Sequence, residues 1–132
     1  KPKLYFLDTG LCAYLSIWLT RDALLHGAAS GHYYENYVVM ELLKNYAYAS
    51  TKANIYYYRD SNAKEIDLIV EKNNELHPLE IKKSANPDRR EIKKFSLLDK
   101  TNLQRSYGGL ICMSEEVVPI DEKNWYIPCN LI

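Results

Sequence analysis

Two apolar runs joined by a pair of asparagines constrain this chain more than any other feature. Residues 65–71 (E-I-D-L-I-V-E) and 76–83 (L-H-P-L-E-I-K-K) flank K-N-N-E, a strong hairpin turn centred on Asn73-Asn74. Side chains alternate along a strand. Ile66, Leu68 and Val70 are therefore expected on one face, with Glu65, Asp67, Ile69 and Glu71 on the other. In the second run Leu79 and Ile81 share a face, and Glu80 and Lys82 share the opposite one. Counting outward from the turn sets Asp67 directly opposite Glu80, with Cβ atoms about 4.5–5.5 Å apart, where like charges repel. Lys82 offsets part of that repulsion. A divalent cation offsets it better, because hard cations take carboxylate oxygens. Taken alone, the pattern also suits an amphipathic hairpin whose charges form weak surface ion pairs. Pro78 cannot donate to a ladder, which favours a bulge or an unpaired position.

Upstream, residues 33–49 (Y-Y-E-N-Y-V-V-M-E-L-L-K-N-Y-A-Y-A) carry Val38, Val39, Leu42, Leu43 and Tyr46 at the spacing of one buried helical stripe. Glu35 falls in the middle of that stripe. A carboxylate there should be neutral, paired or metal-bound, since burying a bare charge is costly. Packed on the sheet, this helix would aim Glu35 at the Asp67–Glu80 pair. The alternative places Glu35 in the first turn, where it serves the helix dipole. Residues 55–59 (I-Y-Y-Y-R) read as a further strand, joined to the hairpin by D-S-N-A-K. After Pro87 a second helix is expected from about Asp88, a plausible cap, to about Lys100, with Ile92, Phe95 and Leu98 or Asp99 facing the core. Gly108-Gly109 then precedes L-I-C-M, a buried strand, and N-W-Y-I-P suits one more. A helix between strands of one sheet implies a right-handed crossover and a parallel pair. Near the start, residues 4–7 read as a short strand, Asp8-Thr9-Gly10 as a turn or helix start, 11–19 as helical, and 27–32 as a loop.

The 132 residues suit one domain, and a 47% hydrophobic content is enough to fill its core. A net charge of zero removes any whole-chain pull on nucleic acid, so a basic surface must be local. Between residues 82 and 105 it is: Lys82, Lys83, Arg89, Arg90, Lys93, Lys94, Lys100 and Arg105 face only Asp88, Glu91 and Asp99. That stretch is expected to meet phosphates or, alternatively, to be a solvated helix face. Arg59 and Lys64 are further phosphate candidates. Twelve tyrosines suit half-buried positions, or a dimer face if clustered outside. Three widely spaced cysteines and three histidines show no ligand spacing, which points to free thiols in a reducing cytoplasm. No apolar stretch approaches the roughly 20 residues of a membrane span. The opening Lys1-Pro2-Lys3, without a methionine, reads as a fragment of a longer protein.

Glu35, then Asp67, then Glu80-x-Lys82, on helix, strand and strand, resembles the PD-(D/E)XK nuclease superfamily. The phrases K-L-Y-F-L-D-T-G-L, E-N-Y-V-V-M-E-L-L-K, Y-Y-R-D-S-N-A-K-E-I-D-L-I-V and L-E-I-K-K-S resemble more closely a domain of unknown function at the carboxyl end of bacterial and archaeal AAA-type ATPases. The resemblance implies an α/β fold with a restriction-endonuclease-like core of order αβββαβ, a mixed central sheet flanked by helices. Residues 33–113 would form the core, and 1–32 a peripheral segment. It implies Mg²⁺ or Mn²⁺ held by Asp67, Glu80, Glu35 and the Ile81 carbonyl, with Lys82 orienting or deprotonating the attacking water. Nucleic acid, DNA foremost, would be the substrate, met by Arg59, Lys64, Lys83, Arg89, Arg90, Lys93 and Lys94. The ATPase region would lie upstream, since no G-x-x-x-x-G-K-[ST] is present to bind ATP. No membrane contact is expected, and the cytoplasm is the expected compartment. A catalytically silent DNA- or protein-binding module with the same fold is the alternative.

Overall fold

The computed structural model describes residues 3–18 and 20–132. Three α-helices come first: α1 (Thr9–Leu15), α2 (Arg21–His26) and α3 (Ser30–Tyr48). Strands β1 (Ile55–Arg59), β2 (Glu65–Lys72) and β3 (Glu75–Ile81) follow, then a 3₁₀ helix (Arg89–Lys100). The chain continues through β4 (Gln104–Arg105), β5 (Gly108–Cys112), β6 (Val118–Pro119), β7 (Asn124–Pro128) and a last 3₁₀ turn. Among the described residues the strands form one seven-stranded sheet, in the order β1-β2-β3-β5-β7-β6, with β4 alongside β3. β2 runs antiparallel to both β1 and β3, whereas β3–β5 and β5–β7 are parallel. The protein is thus a mixed α/β fold with a mixed central sheet flanked by helices. No described helix is long and apolar enough to cross a membrane.

The hairpin forms as its sequence leads one to expect. Asn73 and Asn74 both take positive φ (53° and 65°), the left-handed pair a two-residue hairpin turn needs. Lys72 pairs with Glu75, and the register runs unbroken to Leu68 opposite Leu79. Pro78 pairs with Ile69 on the β2 side. On the other side it falls between the β4 partners of Glu75 and Leu76 and the β5 partners of Leu79–Ile81, where no ladder bond is required of it. Gly108 runs against it so closely that a Cβ would lie 2.3 Å from the Pro78 carbonyl oxygen.

The strict alternation expected of β2 fails. Tyr56 pairs with Ile69 and Tyr58 with Ile66, so Tyr57 alone faces two residues, Asp67 and Leu68. That β-bulge turns Ile66 onto the face of Ile69. Two clusters result. Leu68, Val70, Ile81 and Ile111 pack beneath Val38, Val39 and Met40 of α3. Ile66, Ile69 and Leu76 pack against Phe95 and Leu98 of the 3₁₀ helix. Ile92, Phe95 and Leu98 recur every third residue, the period of a 3₁₀ rather than an α-helix, which rationalises a 3₁₀ run far longer than usual. The crossover expected to be α-helical is therefore 3₁₀. Asp88 caps it by accepting from Arg90 N. Full burial of Phe95 alone contributes about 2–3 kcal/mol.

The amino-terminal third departs most from expectation. Residues 4–7 form no strand, because the Asn36 side chain takes the place of a neighbouring strand. It accepts from Phe6 N (2.7 Å) and donates to Phe6 O (2.9 Å). α1 ends at Leu15, and the expected continuation to 19 ends on Leu19, which lies outside the described residues, as do Lys1 and Pro2. α2, capped by Thr20, was not foreseen, and α3 starts at Ser30 inside the expected loop.

Candidate active site

Asp67 lies at the end of the β2–β3 ladder. One more step of the register sets it opposite Glu80, and its Oδ2 accepts from Ile81 N (3.0 Å), standing in for a ladder bond. The bulge frees its carboxylate from either face, so it can address both. Burial pushes its pKa up, but hydrogen bonds from Glu80 and Ile81 N and the Lys3 charge outweigh this and leave it below the usual carboxylate range.

Glu80 is almost wholly buried, with 1% of its surface exposed. Leu79 and Ile81 pack toward α3, so Glu80 points to the 3₁₀ helix. Its Oε1 accepts from Lys94 Nζ (2.8 Å) and lies 3.2 Å from Lys82 Nζ. Glu91 Oε2 holds both lysines in turn, at 3.1 and 3.5 Å. The other oxygen, Oε2, is buried without a donor to accept from. Burial, then the Asp67 carboxylate beside it, push the Glu80 pKa up to about 7, with Lys94 pulling the other way. A protonated Glu80 can donate to Asp67, an ionised one cannot. The pair therefore resembles two carboxyls sharing a proton.

On the α3 face, Glu35 lies in the second turn of its helix rather than the first, because α3 begins at Ser30. It does not touch Asp67 directly. Its Oε1 accepts from Lys3 Nζ (2.9 Å) and from Tyr5 OH (2.8 Å). Lys3 Nζ also lies 2.5 Å from Glu65 Oε1 and 3.5 Å from Asp67 Oδ1, and over the Tyr57 ring. Burial disfavours its charge, yet the bonds it donates to Glu65 and Glu35 hold its pKa above the ordinary lysine value. Lys3 thus ties Glu35 to Asp67. Sequence reasoning assigned no role to Lys3, Tyr5, Glu65 or Glu91. The only local signals are the alternation Lys3-x-Tyr5, the alternation Glu65-x-Asp67, and the three-residue step from Glu91 to Lys94.

The basic residues divide. Lys64, Arg90, Lys93 and Lys94 line a groove of about 510 Å³ between the β1–β2 turn and the 3₁₀ helix, with Glu65 and Glu91 at the site end. Arg90 is paired with Asp88 (2.6 Å), and Arg59 lies 3.8 Å from Glu65. Lys83 donates to the Leu25 carbonyl at the end of α2, and Arg89 to the Ile120 carbonyl (3.2 Å), so both are tied to the fold. Arg105 pairs with Asp99 (2.7 Å), and Lys100 is exposed.

Fold and cluster together define a mixed α/β domain with a candidate site, a set of carboxylates and lysines at the end of the β2–β3 ladder. The chain belongs to the family described as Domain of unknown function (DUF4143), whose model matches residues 30–132. The match begins where α3 begins, so Lys3 and Tyr5 lie outside it. No curated protein and no solved structure matches the chain significantly.

Proposed function

We propose that this domain is a metal-dependent nuclease module of the PD-(D/E)XK type, working with an AAA-type ATPase region of the same protein. One observation carries the reading: Glu80, buried beside Asp67, keeps one carboxylate oxygen without a donor while two lysines hold the other. Buried acceptors are normally satisfied, and two facing carboxylates with a bare oxygen suit a hard cation. Among the described residues no three acidic, His or Cys side chains stand gathered as a metal-ligand group. Asp67 and Glu80 fit the role as a pair, which the Ile81 carbonyl would complete, with Glu35 reaching it through Lys3. A bound Mg²⁺ or Mn²⁺ supplies Lewis acidity and a water of lowered pKa. The chain's own residues do the rest. Lys82, partly exposed and 3.2 Å from Glu80, is placed to orient the attacking water and to meet charge developing on the phosphate. Lys64, Lys93 and Lys94 offer a path for the nucleic-acid backbone along the groove.

The test is plasmid nicking in Mn²⁺. The wild-type chain should nick, and Asp67→Ala/Glu80→Ala should not. Equal products from both would end the proposal. A silent binding module is the second reading, favoured by the three ammonium groups that already compensate these acids. It expects DNA retention by filter binding with no nicking.

A further inference from the structure

We infer that the Lys3 ammonium is the resident cation of this site, holding Glu35, Glu65 and Asp67 together and giving way when a divalent ion is taken up. The inference rests on the metal-dependent reading above and names what regulates that same site.

The geometry is that of an ion in a seat. An ammonium has three donors and no acceptor, and Lys3 Nζ meets three carboxylates at 2.5, 2.9 and 3.5 Å. Around the site five carboxylates (Glu35, Glu65, Asp67, Glu80, Glu91) face three ammonium groups (Lys3, Lys82, Lys94). Lys82 and Lys94 pair with Glu80 and Glu91, whereas Lys3 is the ammonium that reaches Asp67, with Arg59 3.8 Å from Glu65. Glu80, whose buried Oε2 has no donor, lies beside Asp67. A divalent ion taken up by Asp67 and Glu80 shares the Asp67 carboxylate with Lys3, and two cations so close repel.

The segment that carries Lys3 is built to hold it and to let it go. Two hydrogen bonds with buried Asn36, one accepted from Phe6 N and one donated to Phe6 O, fix Phe6, and Tyr5 OH donates to Glu35. These are polar clamps, which water can replace. Of the segment's apolar side chains, Leu4 and Leu7 are more than four-fifths exposed, and Tyr5 packs against the α3 cluster. Beside Lys3 a cavity of about 450 Å³, walled by Phe6, Trp18 and Tyr33, leaves room for the displaced side chain. The aromatic rings there can receive an ammonium on their faces.

The experiment is a Mn²⁺ titration by calorimetry on the 132-residue chain, with thermal unfolding in chelator and in saturating Mn²⁺. Lys3→Met should bind Mn²⁺ at least roughly tenfold more tightly than wild type. In chelator it should melt below wild type, and Mn²⁺ should close that gap. Lys3→Arg, which keeps the charge, should bind as wild type does. Glu65→Gln loosens the grip on Lys3 without touching Asp67 or Glu80, and should also tighten binding. It serves if Lys3→Met does not fold. Equal or weaker Mn²⁺ binding by both neutralising variants overturns the inference while leaving the metal site standing. No uptake by any variant, wild type included, overturns the metal-dependent reading and this inference with it.

Discussion

The two faces of the sheet carry the same ingredients, carboxylates and lysines, and handle them differently. On the 3₁₀ face the acid is buried: Glu80 is 1% exposed, and its partners Lys94 and Lys82 come from elements adjacent in sequence. On the α3 face Glu35 and Glu65 are half-buried, and their partner Lys3 comes from more than thirty residues away in sequence from either. Asp67 sits on the seam because the β2 bulge releases it from strict alternation. The lesson concerns cost. A buried acid must be compensated locally and permanently, or else protonated. A half-exposed acid tolerates a counterion on a movable arm. One face therefore compensates its acid by burial beside near-sequence lysines, and the other by a lysine from a distant segment.

The widest separation between the faces should be seen in activity. Lys82→Ala should lower nicking by roughly 10²–10⁴-fold while Mn²⁺ uptake survives in calorimetry. Cleavage at the wild-type rate would remove the proposed role of the 3₁₀ face. Stability comes next. Lys94→Met strips the shortest bond from buried Glu80 and should cost about 2 kcal/mol at pH 8, with Lys82 left to cover part of the loss. Lys3→Met, among half-exposed acids, should cost about 1 kcal/mol. Urea unfolding of both variants orders them, and a larger loss from Lys3→Met breaks the comparison. The smallest effect lies in pH dependence. Glu80 titrates at about 7 in the folded protein, above its ordinary 4.5. The folded state therefore keeps a proton that the unfolded chain releases first, and stability falls as pH rises from about 4.5 through 7. The depressed pKa of Asp67 acts only at lower pH, where its contribution is lost on acidification. Glu80→Gln should flatten the decline between pH 4.5 and 7, whereas an unchanged slope would place its cause elsewhere.

The same contrast governs what could be read from sequence. The hairpin, its Asn73-Asn74 turn and the Asp67–Glu80 register were legible because turn chemistry and alternation are local signals. β1 and the Asp88 cap were legible for the same reason. The three-residue recurrence of Ile92, Phe95 and Leu98 was visible as a line, but α-helix is the default for such a line, so its 3₁₀ period went unread. The bulge was hidden because one extra residue in β2 has no signature of its own until β1 pairs with it. Lys3 was hidden because only packing brings residue 3 to residues 35, 65 and 67. Lys94 and Lys83 were read as phosphate contacts from charge alone. Their engagements with Glu80 and with the Leu25 carbonyl depend on where the 3₁₀ helix and α2 come to rest.

In the proposed function Asp67 and Glu80 form one coupled pair able to accept a divalent cation. Carbon-detected NMR titration of the Glu80 side-chain carboxyl, without and with saturating Mg²⁺, tests it most directly. The midpoint should lie near 7 in chelator and fall well below that value when Mg²⁺ is present. A midpoint at the ordinary glutamate value, indifferent to Mg²⁺, would contradict it.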